Sequence, residues 1–339
     1  MNDLDSPAAS DDAASQRARV DAALLAVQRA SALCADAQGR LASGDTLVKS
    51  DDSPVTVADF AAQALVCATL REQLGDVAVV GEEDASDLTA DEQAPLRDGV
   101  TSLVAGALGR DVESDEVLDW ISIGSAAATG DRYWTLDPID GTKGFLRGDQ
   151  YAIALGLIEN GKVTIGVLGC PNLPNADGTT GAVFVAANGS THMYATGSDT
   201  AAQVRVDDPA SVGDARFCES VESGHSDHDD SARIARLLGI TTEPYRIDSQ
   251  CKYAAVARGD ASIYLRLPTR ADYVEKIWDH AAGHLVVEHA GGTVTDVDGR
   301  PLDYSVGARL NNNVGIIATS GGHHDEVVAA VREVLGRSL

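Results

Sequence analysis

Positive charge is what this 339-residue chain has least of. Lysine occurs only at Lys49, Lys143, Lys162, Lys252 and Lys276, and 26 basic residues face 52 acidic ones, for a formal net charge of -26. Nucleic acid and anionic membranes both select a basic face, so this balance argues against either as a partner. Long apolar runs are missing as well: none reaches the roughly 18 residues needed to span a bilayer. The opening stretch MNDLDSPAASDDAASQ is acidic and has no apolar centre. Neither a secretory signal nor an Arg-rich transit peptide is apparent there, and the cytoplasm is the expected location. Cys34, Cys67, Cys170, Cys218 and Cys251 are scattered, odd in number and never form a CxxC, which predicts reduced, mostly buried thiols. Nothing fixes the oligomeric state, for which a monomer is the default.

What is present is ordinary for a folded protein: 44% hydrophobic and 23% charged residues, in a chain long enough for one large or two modest domains. One stretch carries chemistry. In WTLDPIDGTKGF (134–145) a β-rich run delivers Asp137 and Asp140 three residues apart, Pro138 fixes the backbone between them, and Gly141-Thr142 suits a tight turn opening a helix. Two carboxylates and a carbonyl aimed at one point are what a hard divalent cation wants, and the amides of Gly141 and Thr142 could hold a phosphate beside it. DPxxG is also a common surface turn. Two further acidic clusters stand at element ends, GEED (81–84) after an apolar run and IWDHAAG (277–283) at the start of a helix, so together they point to one polynuclear metal centre.

The trio GEE, DPIDGT and WDxAAG, in this order, resembles the lithium-sensitive, magnesium-dependent phosphomonoesterases of the inositol monophosphatase superfamily. Longer runs, SPVTVADFAAQ (53–63), DPIDGTKGFLRGDQYA (137–152), ESVESGHSDHD (219–229), IDSQCKY (247–253), IYLRLP (263–268) and EKIWDHAAG (275–283), look like its 3'(2'),5'-bisphosphate nucleotidase branch. The resemblance runs from about residue 15 to the end. It implies an α/β (α+β) layered sandwich of helices and sheets, like inositol monophosphatase and fructose-1,6-bisphosphatase. It further implies two or three Mg2+ ions held by Glu82, Asp137, the carbonyl of Ile139, Asp140 and Asp279, with inhibition by Li+. Thr142, hydrogen-bonded to Asp59, would be the catalytic pair orienting water, and Glu83 would tune the ligands. Gly141, Thr142, His225, Ser249, Lys252, Arg266 and Asp279 would surround the nucleotide bisphosphate, Lys252 and Arg266 supplying charge for its remote 5'-phosphate.

Each residue has a plainer reading too. Asp59 suits any helix N-terminus, Ser249 could cap the following helix, His225 could be a loop histidine, and Arg266 could pair with any acid. His280 and His284 share a helix face as a zinc pair might, but no HExxH pattern accompanies them. GGTVTDVDGRPLDY lacks the spacing of a calcium loop.

Along the chain, 1–14 reads as a disordered acidic tail, 15–200 as an α+β metal-binding domain with 85–131 an insertion or lid, and 201–339 as an α/β nucleotide-binding domain. Helices are expected from Gln16 to about Leu41, from Ala58 to Leu74 and from Asp279 to Ala290. Hairpins are expected around Glu159-Asn160-Gly161 and Asn188-Gly189. The activity implied is removal of the 3'-phosphate from adenosine 3',5'-bisphosphate, and from its sulfated analogue, in sulfur assimilation. The alternatives are an inositol (poly)phosphate 1-phosphatase, a non-catalytic sensor of the same nucleotide, and an acidic metal buffer.

Overall fold

A computed structural model describes residues 7–42, 57–221, 228–268, 270 and 273–337. The first helix, α1 (Pro7–Ala42), presents Ala23, Ala26, Val27, Ala30, Cys34 and Ala37 to the core, a stripe of small side chains at helical spacing. It starts well before Gln16, so of the expected tail only 1–6 lie outside the described residues. Against it lies α2 (Val57–Leu74), buried almost all round. The strand β1 (Val79–Gly81) follows, then α3 (Ala94–Leu108) and α4 (Ser114–Ser122). From the stretch read as an insertion or lid, Leu88, Val100, Leu103, Val104, Val117, Trp120 and Ile121 all join the core around α2. The acidic surface of 85–131 hid an apolar face that only packing reveals.

The remaining elements in chain order are β2 (Arg132–Asp140), α5 (Thr142–Arg147), β3 (Ala152–Glu159), β4 (Lys162–Pro174), β5 (Thr180–Ala187), β6 (Ser190–Ala195), β7 (Ala201–Val204) and β8 (Phe217–Glu219). Then come α6 (His228–Leu238), β9 (Tyr245–Arg246), α7 (Cys251–Arg258), β10 (Ile263–Arg266), α8 (Ala281–His289), β11 (Thr293–Thr295), β12 (Ile316–Thr319) and α9 (His324–Val334). Both hairpins form where expected, with Asn160, Gly161, Asn188 and Gly189 all at positive φ, as a two-residue turn demands.

Seven strands make one sheet in the order β1 to β7, and five make a second in the order β11-β12-β10-β8-β9. Since β7 still belongs to the first sheet, the change of sheet comes after Val204 rather than at residue 200. Strand β3 shows how layers arise: Ile153, Leu155 and Leu157 face α1 and α2, whereas Ala152 and Ala154 face a second core with α7 and α8. A third core unites the far side of the second sheet with α6 and α9. The result is helices, sheet, helices, sheet, helices, a layered α/β sandwich as implied by the sequence. All five cysteines are buried and unpaired. No described helix is long and apolar enough to cross a membrane.

Candidate active site

The acidic motifs converge at one end of the first sheet, for reasons that start with strand pairing. β1 runs parallel to β2 with Gly81 opposite Leu136, so where β1 ends the next residue, Glu82, stands beside Asp137 of β2. The Glu82 amide donates to the Leu136 carbonyl at 3.1 Å. On an unbroken strand Asp137 and Asp140 would face opposite sides. Between them the pairing with β3 slips, since Asp137 lies opposite Ala154 and Asp140 opposite Ala152. One extra residue in the Pro138-Ile139 bulge resets the alternation and brings both carboxylates to the same side. Asp279 arrives from a 3-10 turn, Ile277–Asp279, ahead of α8. Helix α8 itself starts at Ala281, two residues later than expected.

Electrostatics report the crowding. Asp137 is 2% exposed, and its carboxyl is pushed well up by burial first, then by Glu82, Asp140, Asp279 and Asp59. Asp140 is raised by burial and by Asp279. Glu82 opens to solvent at one side yet is walled in by protein, and it is pushed up to about 7 by desolvation, then by the charge of Asp279. Asp137 Oδ1 is buried without a hydrogen-bond partner. A converging set of oxygen ligands that repel one another, one of them orphaned, fits a divalent cation such as Mg2+. Asp59, buried in the first turn of α2, is close enough for its charge to be felt at Asp137.

In front of these carboxylates opens a cavity of about 250 Å³ whose walls include Asp140, Gly141, Thr142, Ser249, Lys252, Arg266 and Asp279. Gly141 has φ +91 and lies so near the second half of the chain that a Cβ there would come 2.9 Å from that of Ser249. Ser249 is itself at φ +63, and its Oγ accepts from the Cys251 amide at 3.2 Å. The Gln250 amide donates to Asp140 Oδ2 at 2.5 Å, locking the two halves together. Lys252 is 7% exposed, donates to Ser220 Oγ at 3.2 Å and lies 5.3 Å from the centre of the Tyr264 ring. Burial lowers its pKa, against the pull of Asp140. Arg266 bonds Glu275 at 2.9 Å and reaches Asp279 at 3.4 Å.

Of the residues singled out by sequence, Asp140, Gly141, Thr142, Ser249, Lys252, Arg266 and Asp279 thus share one cavity. Glu82 and Asp137 adjoin it through Asp140 and Asp279. His225 lies outside the described residues. One expected contact differs: the Thr142 hydroxyl donates to the Ile139 carbonyl at 3.3 Å instead of to Asp59, because at the head of α5 the carbonyl three residues back is the nearest acceptor. The zinc alternative is closed off, since His280 is bonded to Tyr253 and Glu275 and His284 to Tyr304 and Glu288.

Sequence reasoning missed three supporting residues. Gln63, fully buried, donates to the carbonyl of Glu83 at 2.6 Å and accepts from its amide at 3.1 Å, clamping the GEE loop. Its signal was its place one helical turn after Asp59. Gln250 braces the start of α8 through the Trp278 carbonyl and the Gly283 amide. Glu275 opens the EKIWD run and was passed over.

A family model described as the inositol monophosphatase family matches residues 14–335. A 3'(2'),5'-bisphosphate nucleotidase of Emericella nidulans is 43% identical over 342 residues, 92% of this chain and 96% of the relative. One of Schizosaccharomyces pombe is 43% identical over 335 residues, 93% of this chain and 95% of the relative. Among solved structures, an IMPase of Thermotoga maritima superposes with a TM-score of 0.62 at 23% identity, covering 94% of this chain and 98% of that one, a likeness of fold.

Proposed function

Because the chain belongs to the inositol monophosphatase family, we propose that it is a phosphomonoesterase that removes the 3'-phosphate of adenosine 3',5'-bisphosphate, leaving AMP and phosphate. The sulfated analogue is a second substrate, and clearing a by-product of sulfate transfer is the role such a reaction serves. The observation that carries this reading is the joining, in one cavity, of carboxylates with four basic residues, Lys143, Arg147, Lys252 and Arg266, in a chain otherwise dominated by acid.

Phosphate monoesters resist hydrolysis, so charge must be neutralised and water delivered in line with the leaving oxygen. Mg2+ ions held by Glu82, Asp137, the Ile139 carbonyl, Asp140 and Asp279 would neutralise the phosphoryl oxygens and activate the attacking water. The residues of the chain do the rest. The Gly141 and Thr142 amides receive phosphoryl oxygen at the head of α5, the Thr142 hydroxyl orients the nucleophile, and the Asp59 carboxylate behind the cluster is the base that takes up its proton. Lys252 and Arg266 hold the distal 5'-phosphate, and Ser249 shapes the wall between the two phosphates. His225 is retained as a nucleotide contact on the strength of the GHS run alone.

The test is phosphate release by the purified protein from adenosine 3',5'-bisphosphate, its sulfated analogue and an inositol phosphate, side by side, with and without Mg2+. Faster release from the nucleotides, lost without Mg2+, is the expected result. Preference for the inositol ester would favour an inositol phosphate 1-phosphatase, and binding without turnover a sensor. Li+ should inhibit by taking one Mg2+ position, so full activity at high Li+ with limiting Mg2+ would contradict that assignment.

A further inference from the structure

Behind the basic wall of the cavity stands a carboxylate that the reaction as described does not use. Glu275 is 5% exposed, and its Oε2 accepts from Arg266 Nε at 2.9 Å and stands 3.1 Å from His280 Nε2. His280 is fully buried, and its other ring nitrogen meets the Tyr253 hydroxyl at 2.8 Å. Glu275 is therefore anchored from behind and grips Arg266 by the guanidinium nitrogen nearest its chain. The far end of Arg266 is held loosely, with Nη2 3.4 Å from Asp279 Oδ2 and 3.2 Å from the Tyr273 hydroxyl. Glu275, Asp279 and His280 bring ligand atoms within 4.8 Å of one another, as a metal site might. The Arg266 guanidinium already supplies the cation, and both nitrogens of His280 are engaged.

We propose that Glu275 is a positioning residue that sets affinity for the distal phosphate: by fixing the Nε edge of Arg266 it limits the Nη edge to a long contact with Asp279 and leaves it turned into the cavity. The inference rests on the reading of Arg266 as a distal-phosphate contact. Two carboxylates compete for one guanidinium. When Glu275 is neutral, Asp279 is the anion that remains within reach, and Arg266 shifts onto it, away from the substrate and onto a metal-binding carboxylate.

The experiment compares Glu275→Gln and Glu275→Asp with the parent enzyme on adenosine 3',5'-bisphosphate and on adenosine 3'-monophosphate, which lacks the distal phosphate, at saturating Mg2+. Glu275→Gln should raise KM for the bisphosphate about tenfold more than it raises KM for the monophosphate, the loss of one charge-assisted hydrogen bond. In an Arg266→Gln background the same change should add nothing, since the effect passes through Arg266. Glu275→Asp keeps the charge but withdraws it by one methylene, and carries the same comparison should the Gln variant not fold. Equal KM changes for both substrates, or an undiminished effect in the Arg266→Gln background, would overturn the proposal. If the parent enzyme itself does not distinguish the two substrates, the distal-phosphate role of Arg266 fails and the positioning role with it.

Discussion

Replacing Gln63 by Met removes an amide from the protein interior while keeping nearly the same length and bulk. Gln63 is fully buried, with three hydrogen bonds: to the Glu83 carbonyl at 2.6 Å, from the Glu83 amide at 3.1 Å and to the Ile121 carbonyl at 3.2 Å. The Ile121 carbonyl keeps a second partner in the Gly124 amide, so the bonds whose loss matters most are the two to the Glu83 backbone. Losing a buried backbone hydrogen bond costs about 1–3 kcal/mol, which puts the loss of the two at about 2–6 kcal/mol. For a protein of this size that corresponds to a fall in Tm of roughly 3–8 °C. The consequence reaches the site because Glu82 is the next residue, and a loop released from α2 no longer holds its carboxylate against Asp137. Gly81 and Gly124 leave no slack for a repacked side chain, since a Cβ on either would collide with the Gln63 amide. Thermal melts by circular dichroism and phosphate release against Mg2+ concentration are the assays, the second showing a several-fold higher Mg2+ requirement. A Tm within about 1 °C of the parent, together with an unchanged Mg2+ requirement, would refute the reasoning.

Asp140→Asn should abolish phosphate release, since it removes a charge from the oxygen cluster while preserving shape; retained turnover would mean the metal assignment is wrong. Asp59→Asn and Thr142→Ala should each lower kcat on the order of 10²-fold, read in the same assay at saturating substrate. The raised Glu82 carboxyl makes a prediction about pH. Its folded value of about 7 lies above the ordinary 4.5, so in metal-free protein its contribution to stability is complete below the ordinary value and is lost as pH rises through 7. Mg2+ binds the ionised form, so the gain in Tm on adding Mg2+ should grow from about pH 5 to about pH 8, and a gain that does not vary with pH would contradict it.

Several elements were readable because their cause is local. The two hairpin turns follow from Asn-Gly pairs that tolerate positive φ, and α2 follows from an alanine- and leucine-rich stretch free of glycine and proline, with Asp59 in its first turn. Within 85–131 a helix over 91–108 is legible and corresponds to α3, but the packing of this stretch on α2 is not, because its apolar residues are spread over short helices whose burial depends on α2. At the site, the three acidic motifs stand out by composition. Their supports do not: Gln63 bonds a residue 20 positions away and Gln250 one 110 positions away, and no local pattern encodes such partners. The Thr142 hydroxyl likewise follows the geometry of its own helix start.

Residue identity alone determined the chemistry available here: oxygen ligands in three short runs, few cations, and buried thiols kept out of it. Folding decided which of those groups act together. Parallel pairing set Glu82 beside Asp137, a one-residue slip turned Asp140 to the same side, and α7 and the turn ahead of α8 carried Lys252 and Asp279 to face them. A side chain's type is written at its own position, but its neighbours are set by hydrogen-bond register and by which apolar faces must be covered, and both depend on the whole chain at once.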